Sequence, residues 1–268
     1  MPKINYIMTD EQKESKKWTV WDSYDGKMIS REMMRNGMYY DDTINFRAHR
    51  ICPDLVIKPL TNLGRNLIHF QWWGSNVANF SDEFQNDIYL FQSFMIESLT
   101  CMSLLHERGI THGNLSPKKI FSSNGHIKIG YFERGTVYGN RENFFKGSDY
   151  MISPQKKAWY NDHKIHINFE KEDVYALGLT FLTCYYPDCD ILGLSNYDSE
   201  DLKQFVESKT RFLNFSIQTV LRRMLTYDHV QRWPMKEALK YLINNPVCNT
   251  TVVANQPASA KIKLITSR

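Results

Sequence analysis

Apolar residues from Ile88 onward recur at Ile88, Phe91, Met95, Leu99, Met102 and Leu105, three or four positions apart, and Gly109 stands where such a helix would stop. Ser81 followed by Asp82 and Glu83 is the expected N-cap, with acids in the first turn. Residues 174–186, VYALGLTFLTCYY, are apolar almost all round, which predicts a helix buried at the centre of a fold and ended by Pro187. Ser199-Glu200-Asp201, Ser216 and Pro234 mark the starts of three further helices. Upstream of Gly74 the pattern is different. Residues 18–75 are rich in Trp, Tyr, Ile and Met, in short runs broken by Gly26, Gly37, Pro53, Pro59 and Gly64, which predicts short strands and one poor helix. TVWDSYDGKMIS predicts a hairpin turning at Asp25-Gly26, and NLIHFQWW another strand. The expected organisation is an N-terminal arm over 1–17, one domain over 18–245 with a β-rich part (18–74) and a helical part (75–245), and a tail over 246–268.

Charge and cysteine content narrow the function classes. The net charge of +4 is unevenly placed. In the arm Lys3, Lys13, Lys16 and Lys17 outnumber Asp10, Glu11 and Glu14 by one, and the tail carries Lys261, Lys263 and Arg268 with no acid. The body is therefore neutral, which argues against a nucleic-acid-binding face. A chain of 268 residues buries about three quarters of its unfolded surface, so no disulfide or metal is needed to hold its core. Cys52, Cys101, Cys184, Cys189 and Cys248 form no CxxC pair and are odd in number, which predicts reduced thiols and no zinc site. No apolar run approaches the ~20 residues of a membrane span, and the N-terminus has no signal-like apolar stretch. The expectation is an intracellular protein, cytoplasmic or attached to a cytoplasmic assembly.

Residues 111–134, THGNLSPKKIFSSNGHIKIGYFER, combine a His-containing turn with two short strands joined at Asn124-Gly125, the preferred pair for a two-residue hairpin. This stretch resembles the catalytic loop and metal-binding loop of the eukaryotic protein kinases, which read H-R-D-L-x-x-x-x-N and D-F-G. His112-Gly113-Asn114-Leu115-Ser116-Pro117-Lys118-Lys119 stands in the first motif and Tyr131-Phe132-Glu133 in the second. Three more segments agree in order. GSDYMISPQ (147–155) resembles the end of an activation segment, with Ser153-Pro154-Gln155 in place of A-P-E. EDVYALGL (172–179) resembles the start of the kinase central helix, with Asp173 in the Asp position, and Gln231-Arg232 resembles the late Arg. The resemblance implies an α+β, bilobal protein-kinase-like fold with a shortened β-rich N-lobe and a larger α-helical C-lobe.

Phosphoryl transfer requires clamped phosphates, held metals and an oriented nucleophile. In this alignment the base position is Asn114, a neutral amide; the catalytic-loop metal ligand is Lys119, an ammonium with no acceptor; and the metal-holding Asp is Tyr131, a poor ligand for a hard cation. In the β-rich part Gly26 is the lone glycine of the expected phosphate loop, Glu32 falls at the strand lysine with Arg31 one residue off, and the partner helix offers Asp41 and Asp42 near its start in place of a Glu. Framework positions are kept: His112, Leu115, Pro117, Phe132, Pro154, Gly178, Arg232, and Asp173 as the residue bonding the catalytic-loop backbone. Gln155 replaces the acid that usually pairs with Arg232, implying a Gln–Arg hydrogen bond without the ion pair.

The resemblance thus implies a degenerate pseudokinase with no working catalytic residue, no metal and no cofactor, acting as a scaffold, allosteric or structural partner of another protein. The alternative is a Ser/Thr-type phosphotransferase of altered chemistry, holding ATP without Mg²⁺ through Arg31 or Lys119, with Trp72 and Trp73 at the lobe hinge against the purine. Plainer readings stand beside these. Trp72 and Trp73 fill the cleft or pack between lobes, Lys118-Lys119 is a solvated or loop-capping pair, and Arg222-Arg223 is a solvated face. His69, His163, His166 and His229 are surface or core-packing residues, and nothing around Tyr138 and Ser148 marks a phosphorylation site.

Overall fold

The computed structural model describes residues 17–21, 28–33, 42–64, 67–71, 73–132, 134–137, 151–162, 164 and 167–247. Residues 1–16 of the expected arm, the Asp25-Gly26 turn, Gly37, Asp41, Trp72, Glu133, Tyr138, Ser148, His163, His166 and the tail from Cys248 lie outside them, while Lys17, expected in the arm, opens a strand.

The architecture is α+β. Strands β1 (Lys17–Trp21), β2 (Met28–Met33), β3 (Pro59–Gly64) and β4 (Leu67–Gln71) form an antiparallel sheet in the order β1-β2-β4-β3. The predicted poor helix is α1 (Asp42–Ile51), between β2 and β3. After Gly74 come the short strand β5 (Ser75–Asn76), the helices α2 (Ser81–Asn86) and α3 (Ile88–Glu107), and β6 (Ile110–Thr111). Strands β7 (Ile120–Ser123) and β8 (His126–Ile129) follow, then β9 (Thr136–Val137), which pairs with β6. Helices α4 (Pro154–Asn161), α5 (Phe169–Tyr185), α6 (Ser199–Thr210), α7 (Phe215–Met224) and α8 (Met235–Asn244) complete the chain.

Ser123 pairs with His126, so Asn124 (φ 53°) and Gly125 (φ 80°) are the two central residues of the β7–β8 turn, both left-handed as this turn requires. The helix predicted to run from Ser81 is two helices. Asp87 is extended (φ −132°, ψ 94°), and its Oδ1 accepts the Tyr89 and Leu90 amides at 2.9 and 3.0 Å. It caps α3, while Ser81 is already helical and no side chain caps α2. Similar one- or two-residue shifts place the caps of α6 and α7 at Asp198 and Asn214, whose oxygens accept amides of their first turns. Helix α5 opens five residues before the apolar run, at Phe169, behind the cap Asn168.

Helix α3 corrects the expectation about apolar runs: its 20 residues are long and apolar enough, by length and composition, to cross a membrane. More than half of that stretch is buried inside the fold, because the helix that carries Phe91, Met95, Leu99, Met102 and Leu105 packs against β8, α5 and α8. A second, smaller cluster joins Ile57, Phe70 of β4 and Tyr131, with Trp73 and Phe121 packed against it.

Candidate functional site

The loop between β6 and β7 is held from below by α5. Asp173 accepts the His112 amide at 2.7 Å, the Gly113 amide at 2.8 Å and His106 Nε2 of α3 at 3.1 Å. Burial works against its charge, yet the His106 hydrogen bond and ring, with the His112 amide, hold the carboxyl below the usual range. His112 is fully buried, and its ring packs against Phe132, 4.5 Å between centroids. Its Nδ1 accepts the Asn114 amide at 3.2 Å, so Nε2 carries the proton and donates to the Gly130 carbonyl at 3.1 Å. One imidazole thereby fixes the loop to the end of β8.

Gly113 has φ 73°, and a Cβ there would lie 2.2 Å from the Arg134 carbonyl oxygen, so the position admits no side chain. Its own carbonyl accepts Lys156 Nζ of α4 at 3.0 Å. Lys156 is buried; desolvation lowers its pKa, opposed by Glu172 and Asp173.

The two positions aligned with metal ligands meet each other. Lys119, at the end of a 3-10 turn begun by Pro117, is 8 % exposed, and its Nζ lies 5.3 Å from the centroid of the Tyr131 ring. Of the reading of Lys118-Lys119 as a solvated or loop-capping pair, solvation is corrected at one position: Lys118 is exposed, but Lys119 is turned inward over an aromatic face. Tyr131 is 2 % exposed with φ 65°, edge-on to Phe70 at 4.6 Å and tilted against Phe121 at 5.5 Å. Trp73 packs on this cluster, with Lys128 Nζ 4.6 Å above its ring. Arg31 and Glu32 stand in β2 opposite His69 and Ile68 of β4.

Leu115 and Phe132 are core residues. The Phe132 amide donates to Asn45 Oδ1 of α1 at 3.0 Å, so α1 contributes a buried amide side chain here. Gly178 lets α5 approach α7 closely: a Cβ there would be 3.0 Å from Leu225.

Pro154 opens α4 behind the cap Ser153, and Gln155 Oε1 accepts Arg232 Nη2 at 3.1 Å. The expected Gln–Arg hydrogen bond is present, and Arg232 has an ion pair with another residue that was not expected: its Nη1 lies 3.5 Å from Glu172 Oε1, and both side chains are buried. Glu172 Oε2 accepts Ser153 Oγ at 2.6 Å. Arg232 further donates to the carbonyls of Thr226, Lys171 and Tyr227 and lies over the Tyr175 ring. Asn45, Lys156 and Glu172 were missed from sequence. Asn45 had one signal, since it shares a helical face with buried Ile44 and Ala48.

Among the described residues no group of three or more His, Cys, Asp or Glu side chains is placed to hold a metal ion. Chemically, the site offers a neutral amide at Asn114, a cation at Lys119 and a phenol at Tyr131, on a loop tied down by at least four hydrogen bonds.

No family model matches the chain. Over 168 residues it is 26 % identical to the interferon-induced, double-stranded RNA-activated protein kinase of Rattus norvegicus. The match takes in 59 % of this chain and 30 % of the rat protein, so the chain spans less than a third of that relative. Over that region the chain is kinase-like in sequence.

Proposed function

We propose that this chain is a kinase-like domain that does not transfer phosphate and acts by binding another protein, in an intracellular setting. The observation that carries the reading is the Lys119–Tyr131 contact. Mg²⁺ is held by hard, anionic oxygens. At the two aligned positions an ammonium lies over a neutral phenol ring, and the ring is enclosed by Phe70 and Phe121. A cation bound there would meet repulsion where it needs carboxylates. Asn114 adds to this, since an amide accepts no proton, and general-base catalysis is worth ~10²–10⁴-fold in rate. The hydrogen bonds of Asp173, His112 and Arg232 meanwhile keep the framework ordered, as a binding surface requires.

The test is thermal melting of the chain with ATP, with and without Mg²⁺, beside a radiolabel transfer assay. A ligand at ~1,000 times its Kd stabilises by ~4 kcal/mol, a shift of several degrees in a chain this size. The expected result is no Mg²⁺-dependent shift and no label above background. A clear Mg²⁺-dependent shift, or label transfer that Lys119→Ala abolishes, would replace this reading with an altered phosphotransferase.

A further inference from the structure

Two cysteines not used above stand together where α1 meets α3. Cys52, the residue after α1, is 5 % exposed, and Cys101 of α3 is fully buried. Their thiols are hydrogen-bonded to each other. Both also meet the backbone of Leu55, at different groups: Cys101 Sγ lies 3.6 Å from its carbonyl oxygen, and a hydrogen bond from its backbone lowers the pKa of the Cys52 thiol, as donation by the amide does. Beside them Lys128 Nζ of β8 donates to the Pro53 carbonyl at 2.9 Å, and its charge acts on both sulfurs.

We infer that Cys52 and Cys101 are a redox-responsive dithiol, converted by a peroxide into a disulfide that clamps the end of α1 to α3. The two thiols are unequal in the way such chemistry needs. The Cys101 hydrogen bond holds the Cys52 thiol below its ordinary value against burial, with Leu55 and Lys128 assisting and Asp54 opposing. Burial, with Cys52 itself, pushes Cys101 well up. Cys52, the less buried of the two and next to the chain surface at Pro53, is the attacking sulfur, and the fully buried Cys101 the resolving one. Pro53 and Asp54 beside it are exposed, so a small oxidant has a short approach.

The Cys52 thiolate attacks one peroxide oxygen, the O–O bond breaks, and hydroxide leaves, giving a sulfenic acid. Cys101 then attacks the Cys52 sulfur, and its proton leaves with the displaced hydroxyl as water. In sum, two thiols and one hydrogen peroxide become one disulfide and two waters.

The clamp would act on the Tyr131 cluster. Ile129 N donates to the Leu55 carbonyl at 2.8 Å and Ile57 N to the Ile129 carbonyl at 2.9 Å, two residues before Tyr131, and Ile57 packs on Tyr131 itself. Fixing Cys52 therefore fixes the end of β8, two residues before Tyr131.

The experiment treats the full chain with hydrogen peroxide under native conditions. Intact mass and peptide mapping then read the cysteines, and hydrogen exchange reads the Ile57 and Ile129 amides. The expected result is the loss of two hydrogen masses and a dithiothreitol-reversible Cys52–Cys101 cross-link. Slower exchange at both amides should follow, with a melting point raised by about 10 °C for a bridge closing a loop of roughly fifty residues. Cys52→Ala should show none of these changes. Because mapping uses the unaltered chain, a variant that fails to fold does not decide the matter. Both thiols still open to alkylation after peroxide and unfolding would overturn the inference. So would over-oxidation of Cys52 without a cross-link, or a bridge from either residue to another cysteine.

Discussion

Replacing Asp173 by Asn tests how the loop at residues 112–114 is held. The carboxylate accepts three hydrogen bonds, at 2.7, 2.8 and 3.1 Å, from a site that is 1 % exposed. The amide brings one oxygen and a donating NH₂. With its oxygen on the His112 amide, its NH₂ faces the Gly113 N–H, and neither can accept. Hydrogen bonds to a charged group contribute ~1.5–3 kcal/mol each, and an orphaned buried donor costs ~1–3 kcal/mol. Allowing for partial relaxation, Asp173→Asn should cost about 3–5 kcal/mol at pH 7, lowering the melting point by roughly 10 °C. Urea denaturation measures the first, and hydrogen exchange at the His112 and Gly113 amides locates it. The pH dependence is also set. Because the Asp173 pKa is depressed in the fold, its contribution is fully present above the unfolded-chain value and is lost as pH falls through the folded one. The gap between the two proteins should stay level from about pH 5 to 8 and narrow below about pH 4. A cost under ~1 kcal/mol at pH 7, or a gap that persists unchanged in acid, would refute the assignment of Asp173 as the charged anchor of this loop.

Two further predictions concern packing and charge. Gln155→Glu should lower stability by ~1–3 kcal/mol in urea at pH 7, because Gln155 Nε2 donates to the Tyr227 carbonyl at 2.6 Å and a carboxylate cannot. A gain in stability would show that Glu172 does not already satisfy Arg232. Gly130→Ala should cost ~1–3 kcal/mol, since its Cβ would lie 2.8 Å from Ile57 Cδ1, and Ile57→Val in the same chain should recover part of that cost. Strictly additive effects in the double-mutant cycle would sink this account.

How far the sequence could be read depended on whether a signal was local. The helical period of α3, the all-round apolar run of α5 and the Asn124-Gly125 turn are local patterns, and each appears where expected. The break at Asp87 was invisible because apolar spacing runs from Phe84 through Ile88 to Phe91 without interruption. The inward turn of Lys119 was missed because a lysine is normally solvated, and only the fold brings the Tyr131 ring beneath it. Asn45 reaches a partner 87 positions away and Arg232 one 77 positions away, contacts that no periodicity announces. The motif spacing located the loop, but the Glu172 carboxylate that takes over Arg232 lay one residue before a motif position already assigned.

The Lys119–Tyr131 contact bears finally on which mutational paths are open to this chain. A step that exchanges Tyr131 for a carboxylate places a desolvated anion against Phe70 and Phe121. A step that exchanges Lys119 removes the cation from the ring and leaves its space near Tyr131 to be refilled. Each single intermediate is less fit to fold than the starting genotype, so the two positions are epistatic and only a paired change crosses the gap.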